Sequence, residues 1–309
     1  MLSCVMRDIS GREIIMPRLL SLQINIDEGV PADSLYAVFP EIQTGELAAI
    51  TVYDGDRAVF IGVIDEEEHE RGAQGEYLKI SARSLAAHLT DNEAMPCAYD
   101  HPSMRFIYER YAKPYGITMA DGGDETYFGE QSVLKGFSCW RVLKKFCAAC
   151  YSSVPRISSV GVLYPKGIRR GEETVFGKDD ARYISIKEIN KRCEELSAVY
   201  VKTSNGGSYT LPITNAEAAK RGIRRVRYLN AALTESPLSC ADAMIRGSKA
   251  KAYAVHLRCP SCLLGQEGNR AWVKDSVLAE SENLYISAVH YRMNENGEYS
   301  DVILKRRNS

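Results

Sequence analysis

The sequence predicts a mainly β protein with α+β inserts: two tandem small antiparallel β-barrel domains separated by a helical insert. Three observations lead there. Residues 60–94 and 284–307, far apart in the chain, each alternate apolar and polar side chains on either side of a Gly-containing loop, as hairpins with one buried face do. Between them, from Pro102 onward, apolar residues recur at helical spacing instead. The 309-residue length exceeds one ordinary domain, and 45% apolar content is enough for two or three cores. The expected domains are 1–92, a first barrel; 93–158, the helical insert; and 159–309, a second barrel with an inserted helix near 238–250.

The first barrel opens on clean alternation. Leu20, Leu22, Ile24 and Ile26 point one way, and Ser21, Gln23, Asn25 and Asp27 the other, which makes a half-buried strand. After a loop containing Pro31, strands are expected at 35–39 and 47–53, and Asp54-Gly55 supplies the turn that folds 58–64 back. The acids Asp65, Glu66, Glu67, Glu68 and Glu70 then read as a solvated loop running on to Gly72 and Gly75. A strand at 77–82 closes the set, and 84–89 leaves it as a short helix. Short strands at this spacing fit a small barrel or sandwich.

In the insert, Met104, Ile107, Tyr108 and Tyr111 form one helical stripe behind Pro102. A second helix starts near Ser138, with Trp140, Leu143, Cys147 and Cys150 on one stripe, widened by Val142, Phe146 and Ala149. Residues 120–125 between the helices read as a loop. Strands resume at 160–164, 174–176 and 183–186. A hairpin joins 198–203 to 208–213 through Ser204, Asn205, Gly206 and Gly207. Residues 224–229 continue that sheet, 241–249 are helical, and 253–257 and 271–274 are extended. The chain ends in a long hairpin, 284–292 with 298–305, turned at 294–297.

Lys and Arg number 39 against 40 acids, so the net charge of -1 provides no global field toward nucleic acid or an anionic membrane. No run is long enough to span a bilayer, and the first twenty residues carry charges where a signal peptide needs an apolar stretch. Synthesis and retention in the cytoplasm are expected. The nine cysteines, Cys4, Cys97, Cys139, Cys147, Cys150, Cys193, Cys240, Cys259 and Cys262, are odd in number and scattered, which argues for free thiols over a disulfide framework.

Several constellations have the residue types of chemical sites. The pairs Cys147/Cys150 and Cys259/Cys262 have the spacing of zinc knuckles, but the first falls inside an apolar helix and free packed thiols are the preferred reading. Cys139 before Trp140 could be a helix-terminal nucleophile with His256 or His290 as base, yet the glycine-rich surroundings of such a site are missing. His69, His88, His101, His256 and His290 form no local ligand cluster. No catalytic, cofactor or metal residue is therefore assigned. The basic run Lys220, Arg221, Arg224, Arg225 and Arg227 reads either as a charge-protected edge strand or as a dock for an acidic neighbour, with residues 65–70 of the next copy as one partner.

The order of LLSLQINI (19–26), PADSLYAVFP (31–40), the turn at Asp54-Gly55, Phe60-x-Gly62-x-Ile64 and LKISARSLAAHLTDN (78–92), followed by the helix bearing Ser138 and Trp140 and the closing hairpin around Val289-His290 and Gly297, resembles the baseplate hub proteins of contractile-tailed phages and phage-tail-like bacteriocins. The resemblance covers about half of the chain and rests on order more than on any one motif. It implies a homotrimeric ring whose paired barrels match a hexameric tail tube or tube initiator on one side and a trimeric central spike on the other, with a baseplate wedge or tape-measure protein as a further partner. It implies no catalysis, no cofactor, no nucleic-acid specificity and no membrane insertion, and the chain is expected to end without an appended enzyme domain. Two alternatives stand beside it: a distal-tail or tail-tip protein of a non-contractile phage, and a cysteine-dependent cell-wall hydrolase using Cys139.

Overall fold

A computed structural model of the chain describes residues 2–16, 18–73, 75–120, 123–177, 181–202, 207–230, 237–275, 278 and 283–306. With 48% strand and 18% helix, distributed over several sheets with a helical insert, it has the mainly β class that the alternation predicts. The chain divides into two compact units: Met1–Arg170, Cys259–Gly268 and Ser287–Val302 in the first, and Gly171–Arg258, Asn269–Ile286 and Ile303–Ser309 in the second.

The first unit is built on seven N-terminal strands, β1 (Leu2–Asp8), β2 (Glu13–Ile15), β3 (Ser21–Asp27), β4 (Ser34–Pro40), β5 (Leu47–Asp54), β6 (Arg57–Gly72) and β7 (Gly75–Ser84). They lie in the order β3-β4-β7-β6-β5-β1-β2, all antiparallel. Ala288–Met293 of the C-terminal strand Leu284–Asn294 pair with β3 on its other side, from Ala288 opposite Asp27 to Met293 opposite Leu22. Alternation decides which face is buried: Leu22, Ile24 and Ile26 of β3, Leu35, Ala37 and Phe39 of β4 and Leu78, Ile80 and Ala82 of β7 are all inside. Gly55 takes the expected turn between β5 and β6 with φ of 58°.

Two features differ from expectation. The sequence pattern does not predict β1 and β2, because the buried positions of β1 are Cys4, Met6 and Asp8 instead of branched aliphatics. The acids 65–70 are not a loop. β6 continues through them to Gly72 after an irregularity between Ile64 and Glu66, pairing Glu66 with Ser81, Glu68 with Lys79 and Glu70 with Tyr77. Cations on β7 permit this: Lys79 Nζ lies 3.1 Å from Glu68 and bonds Glu70, and Arg83 holds Asp65 at 2.7 Å. Cross-strand opposite charges offset the low strand preference of acidic residues.

Helix α1 (Ala87–Asp91) follows β7, a few residues later than the helix expected at 84–89, and the insert contains helices α2 (Met104–Tyr111) and α3 (Cys139–Tyr151). Ser103 and Ser138 cap α2 and α3 by accepting from the backbone N–H of Phe106 and Arg141. Met104, Ile107 and Tyr111 pack in one core with Val142, Leu143, Phe146 and Cys147. Ala149, expected on the buried stripe, is exposed, and Trp140 and Cys150 are half-buried. Strands Cys97–Asp100 and Glu130–Val133 pair antiparallel within the insert, an addition that its polar sequence did not announce. Of the expected loop at 120–125, residues 121 and 122 lie outside the described residues.

In the second unit, Ser185–Asn190 pairs antiparallel with Tyr253–Arg258, and Glu173–Phe176 pairs parallel with Arg270–Val273. A separate three-stranded sheet orders Tyr209–Thr214, Ala198–Lys202 and Val226–Asn230. The first two are the expected antiparallel hairpin, whose turn residues Ser204, Asn205 and Gly206 lie outside the described residues. The third returns parallel after helix α4 (Ala216–Lys220). Helix α5 (Pro237–Ala252) covers one face, with Ala241 and Ile245 against Leu196, Val199 and Val201.

Candidate functional site

The thiols have the environment of core residues. Cys147 and Cys259 are buried and Cys150 and Cys262 half-buried. Burial pushes Cys150 and Cys262 up to about 11 and Cys259 up to about 12, and raises Cys147 as well. Among the described residues no three His, Cys, Asp or Glu side chains converge as a metal cluster. Cys139 sits at the first position of α3, where a helix terminus favours a thiolate, but burial raises its pKa and its hydrogen-bonding neighbour is Tyr115. His290 stands opposite Asn25 on the β3 pairing, and His256 opposite Lys187 in the second unit. Burial thus disfavours the thiolate form of Cys139, and the Tyr115 hydrogen bond opposes that effect in part.

The charged candidates fare differently. Asp65, Glu68 and Glu70 are engaged by Arg83 and Lys79 within the first unit, so the acidic run is a paired strand edge and not an open acidic loop. The basic run is divided. Lys220 pairs with Glu217 at 3.1 Å, and the Arg221 guanidinium donates to both oxygens of buried Glu195 at 2.5 and 2.6 Å. Arg224, Arg225 and Arg227 are exposed, and Arg227 lies on Val226–Asn230, an edge strand of the small sheet.

Little in the sequence pattern marks what stands at that edge. On the face of the small sheet opposite α5, Tyr200 lies in register with Tyr228, their rings stacked 5.7 Å apart, and Tyr209 meets Tyr228 edge-on at 5.3 Å. Tyr228 is 62% exposed, although aromatic rings are normally the most buried part of a sheet. Tyrosine rings gathered on one face of a sheet and partly open to solvent are of the kind enriched where proteins associate. Only strand register reveals it, because the tyrosines come from three strands spread over residues 200–228.

A third cluster is internal. Asp33, on the loop before β4, is fully buried against Arg156, which also donates to the carbonyls of Val30 at 2.7 Å and Pro31 at 3.1 Å. Burial pushes the Asp33 carboxyl up to about 7 despite the guanidinium, and buried Glu267, held 3.4 Å from Arg170, is raised for the same reason. These groups lock loops of the first unit together and do not face an open site.

No family model matches the sequence, and no curated protein matches it. Solved structures do match the fold. A tail protein from Neisseria meningitidis superposes with a TM-score of 0.77 at 15% identity, over 99% of this chain and 96% of that one. The 43 kDa tail protein of prophage MuSo2 from Shewanella oneidensis gives a TM-score of 0.79 at 15% identity, over 99% and 98%. An Escherichia coli component of the type VI secretion system, described as structurally similar to the T4 bacteriophage tail proteins gp27 and gp5, gives 0.57 at 10% identity, over 94% of this chain and 74% of that one. At these identities the likeness establishes a shared fold.

Proposed function

We propose that this chain is a structural subunit of a tail assembly, and specifically a baseplate hub: a homotrimeric ring that adapts a hexameric tail tube to a trimeric central spike. The observation that carries the reading is the end-to-end fold match to two tail proteins, each covered almost completely. Its likeness to a secretion-system protein described as resembling gp27 and gp5 supports the hub over other tail positions. The tandem division at 1–92, 93–158 and 159–309 belongs to the same reading, as do a tail tube protein or tube initiator, the spike and a wedge or tape-measure protein as partners. The protein is then made in a bacterial cytoplasm and built into the baseplate of a phage or bacteriocin tail.

The role is non-catalytic in this reading, which the protonated, buried Cys139 supports. Light scattering coupled to gel filtration tests it directly. A mass three times that of the 34.4 kDa protomer is expected, either free or on mixing with tube protein. A chain that stays monomeric with tube and spike proteins present, and is missing from purified tails, overturns the hub. Loss of a cell-wall-cleaving activity in Cys139→Ala would overturn the non-catalytic role.

A further inference from the structure

The second unit contains a pocket of about 320 Å³ whose charge is one-sided. Five cations line it: Arg192, Arg221, Arg246, Lys249 and Arg306. Against them stand two carboxylates, buried Glu195 and exposed Glu217, and both are already ion-paired. Glu195 is buried, gripped by Arg221 through both oxygens and bonded by the Asn215 side-chain amide at 3.1 Å. Glu217 pairs with Lys220 at 3.1 Å. Arg246 leans on Asp242, one turn earlier in α5, at 2.9 Å, and the Arg306 guanidinium lies 4.1 Å over the Tyr253 ring. Arg192 and Lys249 are exposed and have no carboxylate within ion-pair distance among the described residues.

The arrangement holds like charges together. Arg192 donates to the backbone carbonyl of Arg221 at 2.6 Å, which fixes its guanidinium beside the residue whose own guanidinium grips Glu195. Exposed cations ordinarily spread into solvent, whereas here four segments, the 190–195 loop, the end of α4, the last turns of α5 and the C-terminal strand, converge on one cavity. An anion entering it relieves that repulsion and finds planar donors that match a carboxylate two bonds at a time.

We propose that this pocket is a binding site for carboxylates presented by an acidic peptide segment of a partner protein. The size favours it: the volume lies at the lower end of the range for small-ligand pockets, about 300–1,000 Å³, and so fits a few side chains. A nucleic-acid strand requires instead a groove that follows its backbone. The site differs from the docking partner read from the basic run, because it uses Arg221 of that run together with cations from elsewhere and leaves out Arg224, Arg225 and Arg227. It rests on the pocket's own charge and shape, independently of the tail reading.

Fluorescence anisotropy of a labelled hexaglutamate peptide on the full chain tests the proposal. Binding is expected at low salt, and should weaken about tenfold or more in Arg192→Ala/Lys249→Ala and in Lys249→Ala alone by a smaller factor. Lys249 makes no ion pair among the described residues, so its removal leaves the fold intact, which circular dichroism verifies. Arg224→Ala/Arg225→Ala should bind as the parent does. Equal binding by the parent and the pocket variants, loss only in Arg224→Ala/Arg225→Ala, or inorganic phosphate binding as tightly as hexaglutamate each overturns the proposal. A chain that trimerises but ignores hexaglutamate removes the pocket alone, and one that binds hexaglutamate but never enters a tail removes the hub alone.

Discussion

Asp33 with Arg156 and Asp65 with Arg83 are the same chemical pair in opposite surroundings. The first is sealed, with side-chain exposures of 0% and 5%, while in the second both partners are about one-third exposed. In the sealed pair desolvation outweighs attraction and the Asp33 carboxyl rises to about 7. In the open network attraction wins, and Arg83 holds the Asp91 carboxyl below its ordinary value. The two are joined through β7: the Asp33 backbone N–H donates to the Ser84 hydroxyl at 3.0 Å, and Ser84 follows Arg83 in the chain and stands opposite Gly62. Burial therefore assigns the roles. The inner pair anchors loops remote in sequence, and the outer one stiffens a hairpin in which Asp65, Glu68 and Glu70 are paired across the strands.

Removing one sealed partner should have the largest effect. Arg156→Ala leaves the buried Asp33 carboxyl without its partner and removes the donor to two loop carbonyls, and a loss of about 3–5 kcal/mol in urea denaturation is expected. Arg156→Lys should recover little, because an ammonium cannot reach three acceptors in a planar fork. A loss under about 1 kcal/mol for Arg156→Ala would mean that the pair is no anchor.

The next effect depends on pH. Because the Asp33 pKa is raised in the folded state, the folded chain binds more protons than the unfolded one between the ordinary aspartate value and about 7. The contribution is fully present below the lower value and is lost as pH rises through the upper one. Glu267, also raised by burial, acts in the same direction. Asp33→Asn should remove a slope worth up to a few kcal/mol, so that variant and parent diverge most steadily between pH 4 and 7. A difference that does not change across that window refutes the assignment.

Gly62 lies where the two networks meet. A Cβ there would come within 2.5 Å of the Phe60 ring and 2.6 Å of the Arg83 carbonyl oxygen, so Gly62→Ala must move backbone. A loss of about 1–3 kcal/mol is expected. The spacing Phe60-x-Gly62-x-Ile64 thereby acquires a reason: Phe60 fills the core and turns its edge to the one residue too small to obstruct it.

The legibility of these parts follows from how far their causes lie apart in the chain. β3 was readable because Leu22, Ile24 and Ile26 alternate with polar neighbours, and α2 and α3 because Ser103 and Ser138 precede helical stripes. β1 was hidden because Cys4, Met6 and Asp8 do its burying, Asp8 being satisfied by Ser10 and Arg12. The second half of β6 looked like solvated loop, since the cations that let acids join a strand come 11 and 18 residues later. Asp33 and Arg156 are 123 residues apart, and the pocket draws on several segments, so neither leaves a local pattern. The basic run is visible in the sequence, but its division between Arg221, which grips buried Glu195, and exposed Arg224 is not.

Arg83→Ala should have the smallest effect and completes the comparison. The side chain engages Asp65 through two nitrogens, at 2.7 and 2.9 Å, and Asp91 at 2.7 and 3.1 Å, which by count exceeds what Arg156 makes with Asp33. If hydrogen bonds alone set the energy, this variant would be the more damaging of the two. Solvent at one-third exposure screens the attraction and rehydrates Asp65 and Asp91 when the arginine is gone, so the expected loss is under about 1 kcal/mol and shrinks further in high salt. A salt-insensitive loss as large as that of Arg156→Ala would show that the hairpin network is shielded from water, and would make the outer pair a second anchor.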